Sequence, residues 1–545
     1  ILRCLVGSEM CIRDSLNEGL NHTQKARFRG GSVIQKMAEN KRNILLITTD
    51  QMRFDALGCN GGKVARTPCI DSLAAEGINY RRAHNNHVVC MPARASIITG
   101  QHVGTHGVWM NGVTLPEDYP TVAHALGRAG YKTALIGKAH FEPWLGSPDD
   151  FYENRMAQLG ERGPHRGFDQ MELANHFFEG HSHFDLAMNA HPDVKARFYP
   201  MITKRGQNTA STGETGAVQV WPMDVPRDLY HTDWVADRTL AWLGKQGESP
   251  WFCWMSFPDP HHPWDVPRSE LHRVNWRDLD LPPAYLDGDE ARRVLATKPK
   301  HWLGYYEASL WSNLESPRDY VPADMTADQV REINAMTHIE NELIDEACQR
   351  VIDYLKARDL YDHTDIFFTT DHGELQGDYG LMFKGPYHVD ALMRLPLIWK
   401  PGQQAVEPQV IDEPVGHVDL APTFCAIAGI EPEQMDGGVL PASVDEASRQ
   451  GRETTMTEWA SEHGPVNLSL ESLYHKDGWL ITRYHSGSVY EGTEGELYQM
   501  TEDPLQMENR WDDPSLASVK SDLLAELSHV HIPMREPKRP RLAPV

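Results

Sequence analysis

No stretch of the chain reaches the roughly 18 consecutive apolar residues that a bilayer-crossing helix needs, so nothing in the sequence reads as a membrane span. Cysteine is sparse and scattered. There are eight, at positions 4, 11, 59, 69, 90, 253, 348 and 425, with no Cys-x-x-Cys pair. That pattern is neither a disulfide framework nor a zinc knuckle, and it favours a reducing, cytoplasmic setting. Positive charge is also short: Lys and Arg total 52 against 77 Asp and Glu, a formal net charge of −25. Such a surface repels nucleic acid and anionic lipid at long range, and solubility is the plain reading of the acidity. An enzyme of this charge acting on anionic substrates must gather its cations locally, in its site. Internal repeats and low-complexity tracts are missing too. From residue 1 to about 32 there is no helix or strand period and no apolar core of a signal peptide. The first residue is Ile and Met37 suits a start, so residues 1–36 are expected to be a non-native or disordered extension.

What remains is ordinary globular material, 40% hydrophobic and 24% charged over 545 residues. The run Asn43-Ile44-Leu45-Leu46-Ile47-Thr48-Thr49 reads as a buried strand. Thr67-Pro68 opens a helix that Gly77 stops. A second helix is expected over 92–99 and a third over 121–128, followed by a strand over 132–136. Residues 141–230 read as a long, weakly periodic insertion over the sheet edge. A helix at 232–244, a strand at 251–257, an irregular stretch at 258–325, a long helix at 327–356 and a strand at 365–370 follow. A strand over 395–399 and a helix over 419–428 close this part. Alternation of strands and helices predicts an α/β fold with a large, mixed, mainly parallel sheet flanked by helices. After about 435 the texture changes to short alternating runs and a final helix at 515–529. The expected division is a catalytic domain over 37–435 and a smaller C-terminal α+β part over 436–545 with an antiparallel sheet.

Two acidic points stand just past strand ends, Asp50-Gln51 and Asp371-His372. In open α/β sheets, sites gather at the carboxyl ends of the strands, so these points can converge and offer carboxylates and an imidazole to one divalent cation. An Asp in such a place more often caps a turn; the pairing with Cys90 is what favours a site. Cys90 precedes Met91-Pro92-Ala93-Arg94. Pro92 suits a first helical turn, which puts Cys90 near a helix N-terminus, where backbone N–H groups favour an anion. Arg94, four residues on, is placed to hold a charged nucleophile or the carboxylates.

Cys90-x-Pro92-x-Arg94, continued by Ala95-Ser96 and Thr99-Gly100, resembles the signature of type I sulfatases. The strand ending in Asp50, the segments Gly137-Lys138-Ala139-His140, Pro260-His261 and Asp371-His372-Gly373-Glu374, and Lys384 occur in that family's order. The likeness spans roughly 43–430, with Glu496-Leu497-Tyr498 and Asp503-Pro504 near the end. It implies an alkaline phosphatase-like fold, a sulfuric ester hydrolase, and maturation of Cys90 to formylglycine by a formylglycine-generating enzyme. It further implies a metal held by Asp50, Gln51, residue 90, Asp371 and His372, with Ca²⁺ first and Mn²⁺ or Mg²⁺ as alternatives. One hydroxyl of the hydrated aldehyde would attack sulfur, and the other, deprotonated by His140, would expel sulfate. Lys138 and Lys384 would neutralise the sulfonate, and His261 would protonate the leaving oxygen; His262 is equally near in sequence.

Asp50-Gln51 and Asp371-His372 stand where many sulfatases have Asp-Asp and Asp-Asn. This variant resembles choline sulfatases, a subset of arylsulfatases and phosphonate monoester hydrolases, and the Lys138-x-His140 pair separates it from the last of these. The expected substrate is a small anionic sulfate ester. The alternatives are a formylglycine phosphonate monoester hydrolase or phosphodiesterase, a phosphatase-like enzyme with unmodified Cys90, and an inactive binding protein. Trp144, Trp264, Trp302 and Trp311 are candidates to stack on substrate, His388 and Arg394 to support the site, and the C-terminal part to mediate homo-oligomerisation.

Overall fold

The computed structural model describes residues 41–144, 150–176, 181–197, 211–310, 316, 319–402, 407–463 and 466–543. The expected extension at 1–36, Cys4, Cys11 and Trp311 lie outside the described residues. In chain order the strands are β1 (Asn43–Thr49), β2 (Ile78–Tyr80), β3 (Ala83–His84), β4 (Lys132–Gly137), β5 (Gln170–Leu173), β6 (Trp251–Ser256), β7 (Thr364–Thr370), β8 (Arg394–Leu395), β9 (Leu397–Lys400), β10 (Gln409–Ile411), β11 (Val415–Gly416), β12 (Thr454–His463), β13 (Val466–His475), β14 (Trp479–Tyr484) and β15 (Gly495–Gln499). The main sheet has the order β10-β2-β9-β7-β1-β6-β4-β5, with a small sheet β11-β3-β8 and a C-terminal sheet β12-β13-β14-β15.

β1 lies at the centre, parallel to β6 on one side and β7 on the other. Its apolar run is buried on both faces, and the two-residue period of a strand divides it. Ile44 and Leu46 join one core with Ile97 of helix α2 (Cys90–Thr99) and Phe424 of helix α5 (Leu420–Ile427). Leu45 and Ile47 join another core. There they meet Ile70 of α1 (Pro68–Ala75), Val235 of α3 (His231–Leu243) and Ile339 of α4 (Ala327–Ala357). A near-continuous hydrophobic strand is what a parallel sheet covered on both sides requires. Helix α4 starts cleanly because Thr326 and Gln329 form a reciprocal capping box.

β9 runs antiparallel to both β2 and β7. The strand expected over 395–399 is in fact two. Pro396 has no N–H to donate, and the chain changes sheet there, from β8 to β9. The insertion at 141–230 also departs from its expected irregularity: it supplies edge strand β5, parallel to β4. β5 is short, and Glu172 within it pairs with Arg238 at 2.7 Å, so its sequence lacks an apolar run.

All strands of the C-terminal sheet are antiparallel. One face, with Leu470, Tyr474, Leu480 and Tyr484, merges with the core that holds Ile44. The other, with Leu473, Ile481 and Leu497, is covered by Leu523 and Leu527 of helix α6 (Ala517–Val530). Trp264 and Trp302 are fully buried; Trp264 stacks on Phe383, and Trp302 donates its ring N–H to Glu496 at 3.2 Å. These two rings are core, not a substrate wall. Among the described residues no helix is long and apolar enough to cross a membrane, and the six described cysteines are free thiols.

Packing also buries several imidazoles in neutral form. Burial pushes His84, His87, His102 and His301 down to about 3. In the unfolded chain they protonate near about 6.5. Between those limits the unfolded state binds more protons, so stability falls as pH falls. The thermal midpoint should drop progressively from about pH 6.5 toward about pH 3. A midpoint unchanged across that window in buffered calorimetry would contradict this reading.

Candidate active site

The register of the central strands brings the site together. Thr49 of β1 pairs with Thr370 of β7, so Asp50 and Asp371, the next residue of each strand, emerge side by side. Thr48 pairs with Ser256 of β6, and Ser256 pairs with Gly137 of β4. The carboxyl ends of four neighbouring strands thus open on one pocket. Gly137 permits the tightest approach. Its φ is +111°, and a Cβ there would lie 1.7 Å from the Ser256 carbonyl oxygen. With no Cβ, the chain crosses close enough for Lys138 N–H to donate to that oxygen at 2.9 Å. Gln51 (φ 70°) and His140 (φ 59°) also take left-handed backbone just past strand ends, a conformation that clusters at functional sites.

Helix α2 begins at Cys90 itself, two residues before Pro92, with Val89 extended as its N-cap. Cys90 therefore lies in the first turn, and Arg94 one turn along the same buried face. Arg94 bridges the two carboxylates: Nε donates to Asp371 Oδ2 at 2.9 Å and Nη2 to Asp50 Oδ2 at 3.0 Å. Its Nη1 donates to Lys138 O at 2.7 Å and to Ser256 Oγ at 2.9 Å. Lys138 Nζ lies 2.6 Å from Asp50 Oδ2 and 3.9 Å from Cys90 Sγ. The Cys90 sulfur is 3.1 Å from His372 Nε2 and 3.8 Å from Asp50 Oδ1. His372 Nδ1 is 2.9 Å from the Gly373 carbonyl, so its N–H donates there and the Nε2 lone pair faces the cluster.

Lys384 reaches the pocket from the loop after β7, 2.7 Å from Gln51 Oε1 and 3.0 Å from His261 Nε2. Gln51 Nε2 donates to Glu374 and lies 3.1 Å from His262 Nδ1. His261 and His262 are thus both inside. His261 faces Lys384, whereas His262 packs edge-on against Phe383. His140 is buried and neither ring nitrogen has a hydrogen-bond partner.

The electrostatics follow from this packing. Burial opposes ionisation of Asp50, but Lys138, Arg94, His372 and Lys384 outweigh it and hold the carboxyl well below its usual range. Burial, with Asp50 beside it, pushes the Cys90 thiol far up, so unmodified Cys90 is a poor thiolate nucleophile. Burial, reinforced by Lys138 and Arg94, keeps His140 neutral; burial, reinforced by Lys384, does the same for His261.

Asp50, Cys90, Asp371 and His372 offer one ligand atom each within 4.8 Å of one another, all buried. Carboxylate oxygens with one imidazole nitrogen, whose other nitrogen is already tied to a carbonyl, fit a divalent cation. The Gln51 side-chain oxygen accepts from Lys384 at 2.7 Å, which leaves its second lone pair for a place in the donor set. The sequence reading did not single out Ser256, which anchors Arg94. It did not separate Glu374 from its segment either, although that residue orients Gln51. Ser256 is the last residue of β6 and Glu374 lies in the loop after β7, on the same edge of the sheet. His388 is engaged by Ser472 at 2.7 Å. Arg394 contacts Arg81 O, Asp390 and the Phe54 ring, none of them in the cluster.

A family profile described as Sulfatase matches residues 42–430, and one for the C-terminal region of N-sulphoglucosamine sulphohydrolase matches residues 377–532. The chain belongs to the sulfatase family. It is 27% identical to an uncharacterized sulfatase of Escherichia coli over 501 residues, 91% of this chain and 88% of that one. It is 27% identical to an arylsulfatase of Clostridium perfringens, over 86% of this chain and 90% of that one. The crystal structure of a phosphonate monoester hydrolase of Agrobacterium radiobacter superposes with a TM-score of 0.73 at 22% identity, covering 90% of this chain and 95% of that one. The alkaline phosphatase-like sulfatase fold and the assignment as a sulfuric ester hydrolase follow.

In this sulfatase Arg94 is the shared counter-ion of two buried carboxylates. Removing one partner of a buried ion pair costs about 3–5 kcal/mol, because an uncompensated charge remains. Arg94→Leu should lose about that much stability in denaturant unfolding. A change within about 0.5 kcal/mol, the level of an ordinary surface substitution, would show that Arg94 is not the tie described here.

Proposed function

We propose that the pocket hydrolyses sulfate monoesters of small aryl, carbohydrate or alcohol groups. In this reading Cys90 is matured to formylglycine, and a divalent cation, Ca²⁺ before Mn²⁺ or Mg²⁺, is held by Asp50, Asp371 and His372 with residue 90. The observation that carries it is His140: a buried, neutral imidazole with both nitrogens unpartnered, two residues from Lys138. A buried polar group without a partner is costly; here it is a base waiting for a proton.

The cation, when bound, supplies Lewis acidity for the nucleophile and charge for the sulfonate. Formylglycine at residue 90 would supply, when hydrated, two geminal hydroxyls, one as the nucleophile toward sulfur and one whose deprotonation would release sulfate. The chain's own groups do the rest. Arg94 holds Asp50 and Asp371 ionised and in place. Lys138 and Lys384 bring positive charge to the sulfonate oxygens, in a protein whose surface repels anions. His261 accepts from Lys384 at Nε2 while its Nδ1–H donates to the His262 carbonyl. The proton for the leaving oxygen is therefore drawn from the Lys384–His261 pair. His140 takes the proton of the second hydroxyl at a ring nitrogen.

Acid–base groups of this kind contribute about 10²–10⁴-fold. His140→Ala should lower turnover of an aryl sulfate by that factor while the thermal midpoint stays near that of the parent. Turnover should scale with the fraction of residue 90 converted, read by mass spectrometry of the peptide over residues 82–94. Full turnover in Cys90→Ala would overturn the proposal, and a large preference for an aryl phosphonate monoester would move the enzyme to the phosphonate branch.

A further inference from the structure

Behind the catalytic pocket lies a second concentration of ligating side chains. His176, His231, Asp259 and Asp265 each offer one atom within 4.8 Å of the others, and all are buried. They come from separate parts of the chain. His176 follows β5, His231 opens α3, and Asp259 and Asp265 flank the loop after β6. Glu340 of α4 faces Asp259 and Asp265 and is completely buried. Apart from a weak backbone interaction with Asp265, neither of its carboxylate oxygens has a hydrogen-bond partner.

The hydrogen-bond accounting does not close with protein groups alone. Asp259 receives His231 Nε2 at 2.6 Å and the Thr232 hydroxyl. Asp265 receives the Tyr230 hydroxyl at 2.8 Å on one oxygen, and its other oxygen has no partner. Among the described residues no Arg or Lys forms an ion pair with Asp259, Asp265 or Glu340. Asp259 pairs with His231 and raises its proton affinity, but among the described residues no further cation pairs with Asp265 or Glu340, and carboxyl groups so crowded in a dry pocket are unfavourable. The His176 imidazole is oriented as a ligand, while His231 Nε2 meets Asp259 and its Nδ1 has no hydrogen-bond partner. His176 Nε2 is 2.6 Å from the Pro258 carbonyl, which fixes the proton there, and its Nδ1, without a hydrogen-bond partner, lies 3.7 Å from Asp259 Oδ1. A metal-bound histidine is typically held in this way through its other nitrogen.

We propose that His176, His231, Asp259 and Asp265, with Glu340 beside them, bind a second divalent transition-metal ion. Two imidazole nitrogens and two carboxylate oxygens suit Zn²⁺ first. The site is structural and sits next to the chemistry. The Asp259 carbonyl accepts the Asp50 N–H at 3.0 Å, and the His176 ring stacks on His261 at 5.5 Å. An ion there would brace the loop that carries His261. It is independent of the reaction assigned above and of the cation at Asp50 and Asp371.

The test is metal content. The parent protein, Asp371→Asn, and the double variant His231→Gln with Asp265→Asn are dialysed against zinc chloride, desalted and measured by plasma mass spectrometry. The double variant should hold one fewer equivalent of zinc per chain than the parent. Asp371→Asn should keep that equivalent. Unchanged zinc content in a double variant whose circular dichroism matches the parent overturns the proposal. If the double variant does not fold, anomalous diffraction at the zinc edge from the parent protein decides. A peak bonded to His176, His231, Asp259 and Asp265 supports the site, and no peak there removes it.

Discussion

The guanidinium of Arg94 is the point on which the site depends. It is fully buried, and every contact it makes belongs to a different strand end: Asp50 after β1, Asp371 after β7, the Lys138 carbonyl after β4 and Ser256 at the end of β6. The planar fork of Arg meets two carboxylates at fixed angles, which an ammonium cannot do. Because helix α2 carries both Cys90 and Arg94, one turn apart, the same contact sets where residue 90 stands relative to the two acids. The sheet register and the helix position are therefore not separate achievements of the fold. A slip of one residue between β1 and β7 would carry Asp50 and Asp371 to opposite faces, and Arg94 could no longer bridge them.

Charge is distributed on two scales. The whole chain carries a formal −25, which keeps anions away at long range, while the pocket concentrates Arg94, Lys138 and Lys384 within a few residues of one another in space. Of these, Arg94 is consumed by Asp50 and Asp371, and Lys138 is shared with Asp50. Lys384 reaches Gln51 and His261 at the same pocket. Short-range attraction in a low-dielectric pocket exceeds screened repulsion from a distant surface, so the local cations and not the net charge set how the pocket meets an anion.

Much of this was legible in the sequence because the decisive residues sit at the ends of strong local patterns. The apolar runs before Asp50 and Asp371 declare buried strands, and their next residues necessarily fall on the carboxyl edge. Cys90-x-Pro92-x-Arg94 is compact enough to be read as one turn of helix. What was missed lacks either a run or a spacing. β5 is four residues long and contains Glu172, whose charge is matched by Arg238 from another element. The split of β8 from β9 depends on Pro396 and on which sheet each half joins, a tertiary fact. Ser256 and Glu374 became visible only when Arg94 and Gln51 had three-dimensional positions. The cluster of His176, His231, Asp259, Asp265 and Glu340 is drawn from five places with no common interval.

The backbone at Gln51 and His140 joins these levels. Both are non-glycine residues in left-handed conformation directly past buried strands, a state that costs about 1–3 kcal/mol unless the surroundings enforce it. At Gln51 the surroundings do so through hydrogen bonds: the N–H donates to Asp371 Oδ1 at 3.1 Å, and the side chain is clasped between Lys384 and Glu374. At His140 no such clasp exists on the ring, whose nitrogens are unpartnered. The strain at Gln51 is thus spent on orienting Lys384, whereas the strain at His140 leaves an imidazole aimed but unengaged. A residue held at such cost with its polar atoms idle is the feature on which the proposed role of His140 as a base rests.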